Sequence, residues 1–222
     1  LSHELKTPLA SMREGTELLA DRIVGPLTPE QQEVVAILDS SSRNLQTLIE
    51  QLLDYNRKLA DTAAELQPVA LAPLVEKMIA AHSLPARAKM MNTRVEMNAP
   101  GCQAEPTLLL SAIDNLYSNA IHYGDNATDI LLRSRQQGNS VIIEIVNSGP
   151  PVPEAEKNMI FEPFYQGSRQ RKGAVKGSGL GLSIARDCVR RMKGSLQLVD
   201  ERPGTVCFRI TLARPDAGNP TQ

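Results

Sequence analysis

Residues 1 to about 62 carry no strand signal and two long helical patterns. In the first, Leu5, Leu9, Met12, Thr16, Leu19 and Ile23 recur at alternating spacings of four and three. In the second, Gln31, Val34, Leu38, Ser41, Leu45, Leu48, Leu52, Tyr55 and Leu59 recur at three and four. A seam of that period keeps one helical face turned toward a partner helix. Between the two patterns, Gly25-Pro26-Leu27-Thr28-Pro29 breaks the helix. Thr28 can cap the second helix, Pro29 suits a first helical position and Gln31 completes a capping box. The segment therefore reads as an antiparallel helical hairpin. Val35, Ile49 and Leu53 widen the stripe on its second helix beyond what one hairpin can cover, so dimerisation into a four-helix bundle is expected. Packing on the rest of its own chain is the alternative.

Composition narrows the possible partners. Lys+Arg 24 against Asp+Glu 25 gives a net charge of −1, which supplies no general attraction to nucleic acid or to an anionic membrane. Aromatic residues are 3% with no Trp, which argues against a base-stacking platform. Cys102, Cys188 and Cys207 are odd in number and widely spaced, so they form neither a disulfide framework nor a zinc ribbon and read as small buried hydrophobes. No run approaches the ~18 apolar residues of a membrane helix, and no signal peptide is recognisable. Leu1 already lies inside an amphipathic pattern, so the chain reads as a soluble piece of something longer.

Residues 63–68 read as a polar linker ending at Pro68, after which the pattern becomes mixed α/β. Helices are predicted at about 73–91, 106–123 and 180–193, and strands near 93–98, 128–135, 140–147, 195–200 and 205–212. Gly138-Asn139 is the turn of a hairpin. The organisation is thus a hairpin over 1–64, an α/β domain over 65–213 and a tail at 214–222. A stretch of about 30 residues from Ser148 to Gly181 with little periodicity, inside such a domain, is usually functional.

Four short segments carry chemistry. In Ser2-His3-Glu4-Leu5-Lys6-Thr7-Pro8, His3 falls one residue past a seam position and should face solvent. Glu4 can hold one ring nitrogen protonated and leave the other free to attack, and Thr7, one turn on, could orient a water. A lone surface histidine is, taken alone, a solvated residue. On the helix opening at Pro106, Asn115 and Asn119 are i, i+4 neighbours on one face. Their carboxamide oxygens suit Mg²⁺ and their NH₂ groups suit phosphate, and poor helix formers on a mostly buried helix need a reason. Gly177-Ser178-Gly179-Leu180-Gly181 precedes a helix and could let backbone N–H groups approach phosphate, or simply form a turn. Before it, Arg169, Arg171, Lys172 and Lys176 form a basic cluster, read either as a solvated loop or as a lid donating cations to a triphosphate. Asn147-Ser148-Gly149-Pro150-Pro151 ends a strand and suits recognition of a base edge, and Phe161-Glu162-Pro163-Phe164 reads as an apolar hinge or as core.

In this order the four segments resemble the conserved boxes of the bacterial sensor histidine kinases, spanning residues 2 to 205 and so nearly the whole chain. Gly204-Thr205 is similar to the family's last glycine motif, and stretches 12–31 and 169–188 resemble an enterobacterial branch. The resemblance implies a dimerising, histidine-phosphotransfer hairpin followed by an ATP-binding α/β sandwich of the gyrase, Hsp90, kinase and MutL type. It implies His3 as phosphoacceptor, Glu4 as its acid/base partner and Thr7 as a support for dephosphorylating the partner protein. It further implies Asn119 as principal Mg²⁺ ligand, Asn115 assisting, Tyr123 on adenine, and Gly177, Gly179, Leu180 and Gly181 around the phosphates, with Lys172 and Lys176 in the lid. Asn147, Gly149 and Thr205 complete the nucleotide site. The partners implied are a second copy of the chain and the receiver domain of a response regulator, with no nucleic acid and with membrane attachment only through segments that this chain lacks. The place implied is the cytoplasmic side of a bacterial inner membrane.

Three departures stand out. Asn147 replaces the aspartate that usually accepts from the adenine amino group, at an expected loss of about 1 kcal/mol. Pro151 replaces a glycine, and His122 stands where the family has Lys or Arg, making any phosphate contact there pH-dependent. An active kinase is still expected. A related ATPase without a phosphoacceptor and a dimeric scaffold with a decayed site are the two rival readings.

Overall fold

The computed structural model describes residues 2–60, 64–167, 178–200 and 202–215, leaving aside the side chains of residues 2–6, 44, 47, 48 and 50–60. The chain divides into two compact units, Leu1–Asp61 and Thr62–Gln222.

The first unit is a hairpin of α1 (Ser2–Ala20) and α2 (Pro29–Ala60). The capping box forms: the Thr28 N–H donates to Gln31 Oε1 at 2.9 Å, and the Gln31 N–H donates to Thr28 Oγ1 at 3.3 Å. At the other end α1 stops at Ala20 because Arg22 turns left-handed, at φ +58, and the Ile23 N–H folds back to Leu18 O. Ile23, placed on the seam by its spacing, therefore stands beyond the helix and in solvent. The apolar stripe itself splits. Leu9 and Thr16 are buried on α1 and Val35 on α2, whereas Met12, Val34, Leu38 and Leu45 are exposed. Thr16 tolerates burial because its hydroxyl donates to Met12 O at 2.7 Å. Arg13 crosses from α1, donating to Gln46 Oε1 of α2 at 2.8 Å. No helix among the described residues is long and apolar enough to cross a membrane.

The second unit packs helices on a mixed sheet. Its elements are β1 (Gln67–Ala70), α3 (Leu71–Ala81), α4 (Ser83–Ala88), β2 (Asn92–Met97), β3 (Gly101–Ala104), α5 (Pro106–Tyr123), β4 (Asp129–Gln137), β5 (Ser140–Ser148), α6 (Gly181–Arg191), β6 (Ser195–Val199) and β7 (Thr205–Ala213). Short 3₁₀ turns at Glu154–Glu156 and Met159–Phe161 occupy the stretch between β5 and α6. The five-stranded sheet runs β2-β4-β5-β7-β6, with β2 parallel to β4 and the rest antiparallel, and β1 pairs with β3 in a separate two-stranded sheet.

The structure corrects three expectations. The single helix predicted over 73–91 is two, broken at His82, whose backbone (φ −99, ψ 11) leaves the helical range. Gln67 and Pro68, read as linker, belong to β1, and β3 was not anticipated at all. Each of these strands has four residues, too few for a two-residue alternation to show. The Gly138-Asn139 turn forms as expected, with Gly138 at φ +58 and Gln137 paired to Ser140. All three cysteines are buried and none is in a disulfide, and burial pushes the Cys102 thiol up to about 12.

β5 is central, and its residues 141–147 are all buried, as the nearly unbroken run Val-Ile-Ile-Glu-Ile-Val-Asn requires. Cross-strand register puts Ile130 and Leu132 of β4, Ile143 and Ile145 of β5 and Phe208 and Ile210 of β7 on one face. Glu144 lies on the other face, opposite Arg133 on one neighbour and Arg209 on the other. Only 1% of its side chain is exposed; Arg133 Nε donates to Oε2 at 2.7 Å and Arg209 Nε to Oε1 at 2.5 Å. Burial alone would raise this carboxyl, but the two guanidinium hydrogen bonds and charges outweigh it and hold Glu144 below the usual carboxylate range.

A carboxyl depressed in the folded state stabilises the fold above its unfolded pKa of about 4.3, and that stability is lost as pH falls through the folded value. Glu144→Gln is expected to destabilise the unit by about 3 kcal/mol at pH 7, because it leaves two guanidinium groups facing a neutral amide. Thermal unfolding of both proteins between pH 7 and pH 3 checks this: the gap should close at the acid end, and a pH-independent gap would contradict it.

Candidate functional site

α5 supplies most of the candidate residues. Pro106 occupies its first position, and the Glu105 carboxylate caps it by accepting from the Thr107 and Leu108 N–H groups at 3.0 and 2.6 Å. One side of the helix is core: Leu109, Ile113, Leu116 and Tyr117 are essentially inaccessible. Asn115 and Asn119 sit half-buried beside that core. Asn115 Nδ2 donates to Ser111 O at 2.8 Å, which leaves Oδ1 as the outward acceptor. That oxygen lies 3.1 Å from where a Cβ on Gly181 would stand, so a side chain at the first residue of α6 would crowd it. The neighbouring Asp114 is occupied elsewhere, 2.7 Å from His82 Nε2.

The glycine turn before α6 is closely packed. Gly179 is at φ +70, and a Cβ there would fall 2.8 Å from the Phe164 carbonyl carbon and from Tyr165 O. Phe164 N donates to Gly179 O at 2.9 Å, so Phe161–Phe164 holds the turn by its backbone as well as by packing. Phe161 is buried against Phe208, whereas Phe164 is exposed at φ +64. Arg186 of α6 bonds Glu162 Oε1 at 3.3 Å and lies 5.8 Å from the Phe161 ring centroid. Leu180 is buried, and α6 opens without a side-chain cap, which leaves its first N–H groups available to an anion.

The far end of α5 meets the end of β5. His122 and Tyr123 pack edge to face, with ring centroids 4.7 Å apart. Burial raises the Tyr123 phenol above its ordinary value, so it remains a neutral donor. Asn147 is buried, and its Nδ2 donates to Ser148 O at 3.1 Å. A Cβ on Gly149 would lie 3.2 Å from Tyr123 O and 3.3 Å from Asn147 Nδ2, so the two segments touch through a glycine. Gly149 N donates to Gly204 O at 3.0 Å, and Ser148 pairs with Thr205, whose hydroxyl is spent on Arg202 O at 2.9 Å.

The structure thus brings Asn115 beside Gly181 across the α5–α6 pair, and brings Tyr123, Asn147 and Gly149 together where the ends of α5 and β5 meet, with Thr205 paired to Ser148. Lys172, Lys176 and Gly177 lie outside the described residues, as do the side chains of His3 and Glu4. His3 and Glu4 are on the first turn of α1, and Thr7 is exposed one turn later. Sequence reasoning missed Lys89, whose ammonium reaches Ile121 O at 2.7 Å and His122 O at 2.5 Å. No local pattern marks a lysine that serves a helix more than thirty residues away.

The family of histidine kinase-, DNA gyrase B- and HSP90-like ATPases matches residues 104–216, and the His Kinase A (phospho-acceptor) domain matches residues 1–60. Sensor histidine kinase GlrK of Escherichia coli K12 is 71% identical over 96% of this chain, and sensor protein CreC of the same strain is 32% identical over 96%. The chain spans 45% and 44% of the length of those two relatives. Among solved structures, full-length ShkA in complex with AMPPNP aligns over 96% of this chain and 46% of its own, at 26% identity and a TM-score of 0.71. Histidine kinase ThkA in complex with the response regulator TrrA aligns over 97% of this chain and 60% of its own, at 22% identity and a TM-score of 0.68, a likeness of fold. With a phospho-acceptor domain joined to the ATPase domain, the chain belongs to the histidine kinase-, DNA gyrase B- and HSP90-like ATPase family, in its sensor histidine kinase branch.

Proposed function

We propose that this chain uses ATP to phosphorylate His3 and passes the phosphoryl group to an aspartate on a response regulator. Two contacts support the reading: the Asn115 carboxamide stands beside the uncapped start of α6, and Tyr123 meets the Asn147–Gly149 strand end, both in a unit of this family. On this reading the base end of the site would be formed by Tyr123, Asn147, Gly149 and Thr205, and the phosphate end by Gly177, Gly179, Leu180, Gly181, His122 and the cations Lys172 and Lys176. The hairpin over 1–64 would be the phosphotransfer unit and 65–213 the nucleotide-binding unit.

The residues fit Mg²⁺. Among the described residues no cluster of three His, Cys, Asp or Glu could hold a metal. A divalent ion here would rely on the Asn119 and Asn115 carboxamide oxygens together with the nucleotide's own phosphate oxygens. Asn115 Oδ1 is left unspent by the bond from Nδ2 to Ser111 and faces the space that Gly181 leaves open. When bound, the ion supplies charge neutralisation on the phosphates.

The protein's own part is positioning. Backbone N–H groups at the start of α6 and the lid cations would hold the triphosphate for attack by an imidazole nitrogen of His3. The nitrogen lone pair forms the new N–P bond, the bond to the β-phosphate oxygen breaks, ADP leaves, and the ring proton passes to Glu4 as general base. The phosphoramidate then transfers to a carboxylate of the regulator. Thr7 would orient the water that later hydrolyses the regulator's acyl phosphate. Two copies joined through the exposed rows of the hairpin would form the working unit. ATP is supplied in the cytoplasm, so the reading places both units there.

Incubation with [γ-³²P]ATP and Mg²⁺ should give acid-labile, base-stable label on the wild type and none on His3→Gln, with nucleotide affinity unchanged. Persistent acid-labile label on the variant would overturn His3 as acceptor. Asn147→Ala is expected to raise the ATP dissociation constant about five- to tenfold, the worth of one hydrogen bond of about 1 kcal/mol. GTP, which lacks the amino group read there, should lose little. Equal losses for the two nucleotides in calorimetry would show that Asn147 does not read the base.

A further inference from the structure

We infer that Lys89 is a positioning residue for nucleotide binding, acting on the base end of the proposed site without touching the nucleotide. The inference rests on the proposed nucleotide site and extends it to a residue outside every motif of that site.

Lys89 grips the α5–β4 connection from both sides. Its ammonium donates to the Ile121 and His122 carbonyls, which belong to the last turn of α5. Its own carbonyl accepts from the Ala127 N–H at 2.9 Å, on the far side of the same connection. A positive charge at a helix C-terminus also meets the negative end of the helix dipole. Between the two grips lie Tyr123, Gly124, Asp125 and Asn126, a segment that carries Tyr123 of the proposed base end. Asp125 N donates to Ser148 O at 2.9 Å, the same carbonyl that accepts from Asn147 Nδ2 at 3.1 Å. Lys89 therefore fixes one side of a joint whose other side orients Asn147.

A second feature points the same way. The residue after Lys89 is Met90 at φ +55, a left-handed conformation that side chains other than glycine rarely adopt. It closes α4, with Met90 N donating to Arg87 O and Met91 N to Ala86 O, both at 2.9 Å. Met91, buried at 5% exposure, then packs under the joint: its Cε lies 2.7 Å from where a Cβ on Gly124 would stand. The left-handed turn at Met90 thus lets the ammonium of Lys89 and the side chain of Met91 reach the same connection. Gly124 completes the fit, since a Cβ there would also collide with Ala120 O.

Loosening this joint should weaken binding of the nucleoside part and leave the phosphate end and the chemistry intact. Lys89→Met is expected to raise the dissociation constants of ATP–Mg²⁺ and of ADP–Mg²⁺ by the same factor, about tenfold for two lost carbonyl contacts. The labelling rate at saturating ATP should stay within about twofold of wild type while its half-saturation point rises. Lys89→Arg, which keeps charge and donors, should recover most of the affinity; where Lys89→Met fails to fold, Lys89→Gln replaces it, with an intermediate loss expected. A variant that is only less heat-stable, with unchanged dissociation constants, would overturn the inference and leave the proposed kinase standing. A wild-type chain that binds neither nucleotide would overturn both.

Discussion

One helix has to satisfy two environments at once, and the second unit is arranged around that demand. α5 buries Leu109, Ile113, Leu116 and Tyr117 in the core while keeping Asn115 and Asn119 at its margin. A carboxamide on a helix competes for backbone hydrogen bonds and disfavours helix unless packing compensates. Here Asn115 Nδ2 does bond a backbone carbonyl, that of Ser111, and its oxygen is oriented by that bond. The compensation comes from the ends. Glu105 satisfies two N–H groups at the start and Lys89 meets two carbonyls at the finish, so the helix cannot drift along the sheet or unwind at either terminus. Rigid placement of the two asparagines comes from the caps as much as from the core.

The sheet beneath is secured differently. Glu144 interrupts a strand whose residues 141–147 are all buried, which would be costly in isolation. Arg133 and Arg209 face it in register from the two flanking strands, so a one-residue slip of β4 or β7 would leave the carboxylate unanswered. A buried ion pair adds little net stability over apolar packing, but this one is specific to a single alignment of three strands. That alignment also brings Asn147 of β5 level with the glycine turn preceding β7, as the bond from Gly149 N to Gly204 O shows. Register in the middle of the sheet thus determines what meets at its end.

Much of this was legible in the residues, and the exceptions have physical causes. The long periodic helices, the capping box at Thr28 and Gln31 and the Gly138-Asn139 turn could be read because each is encoded within a few neighbouring residues. The helix break at His82 could not. The residues on either side, Met78-Ile79-Ala80-Ala81 and Ser83-Leu84-Pro85-Ala86, are compatible with helix when Pro85 sits in a first turn. The break is supported from outside, by Asp114 at 2.7 Å and the edge of Tyr117 against the His82 ring. Met12 and Val34 were placed on the hairpin seam with Leu9 and Leu38, yet the fold divides these residues between a row buried within the hairpin and an exposed row. Spacing gives the width of an apolar stripe and leaves open which part of it the nearest helix covers.

The same contrast between local and distant information bears on the substitution at Asn147. Judged by residue type alone, an amide in place of a carboxylate costs a charge-assisted bond and gains a donor that could accommodate the wrong base. The surroundings limit the second effect. Ser148 O takes a hydrogen bond from Nδ2, and turning the amide over would set two carbonyl oxygens against each other at that distance in a buried site. One orientation is therefore preferred, with Oδ1 as the acceptor left for a base amino group. The main chain thus imposes an orientation that a carboxylate, with two equivalent oxygens, does not require. Adenine selectivity at such a site depends on how firmly the Ser148 carbonyl is held, and Asp125 N, carried by the connection that Lys89 grips, is its other donor.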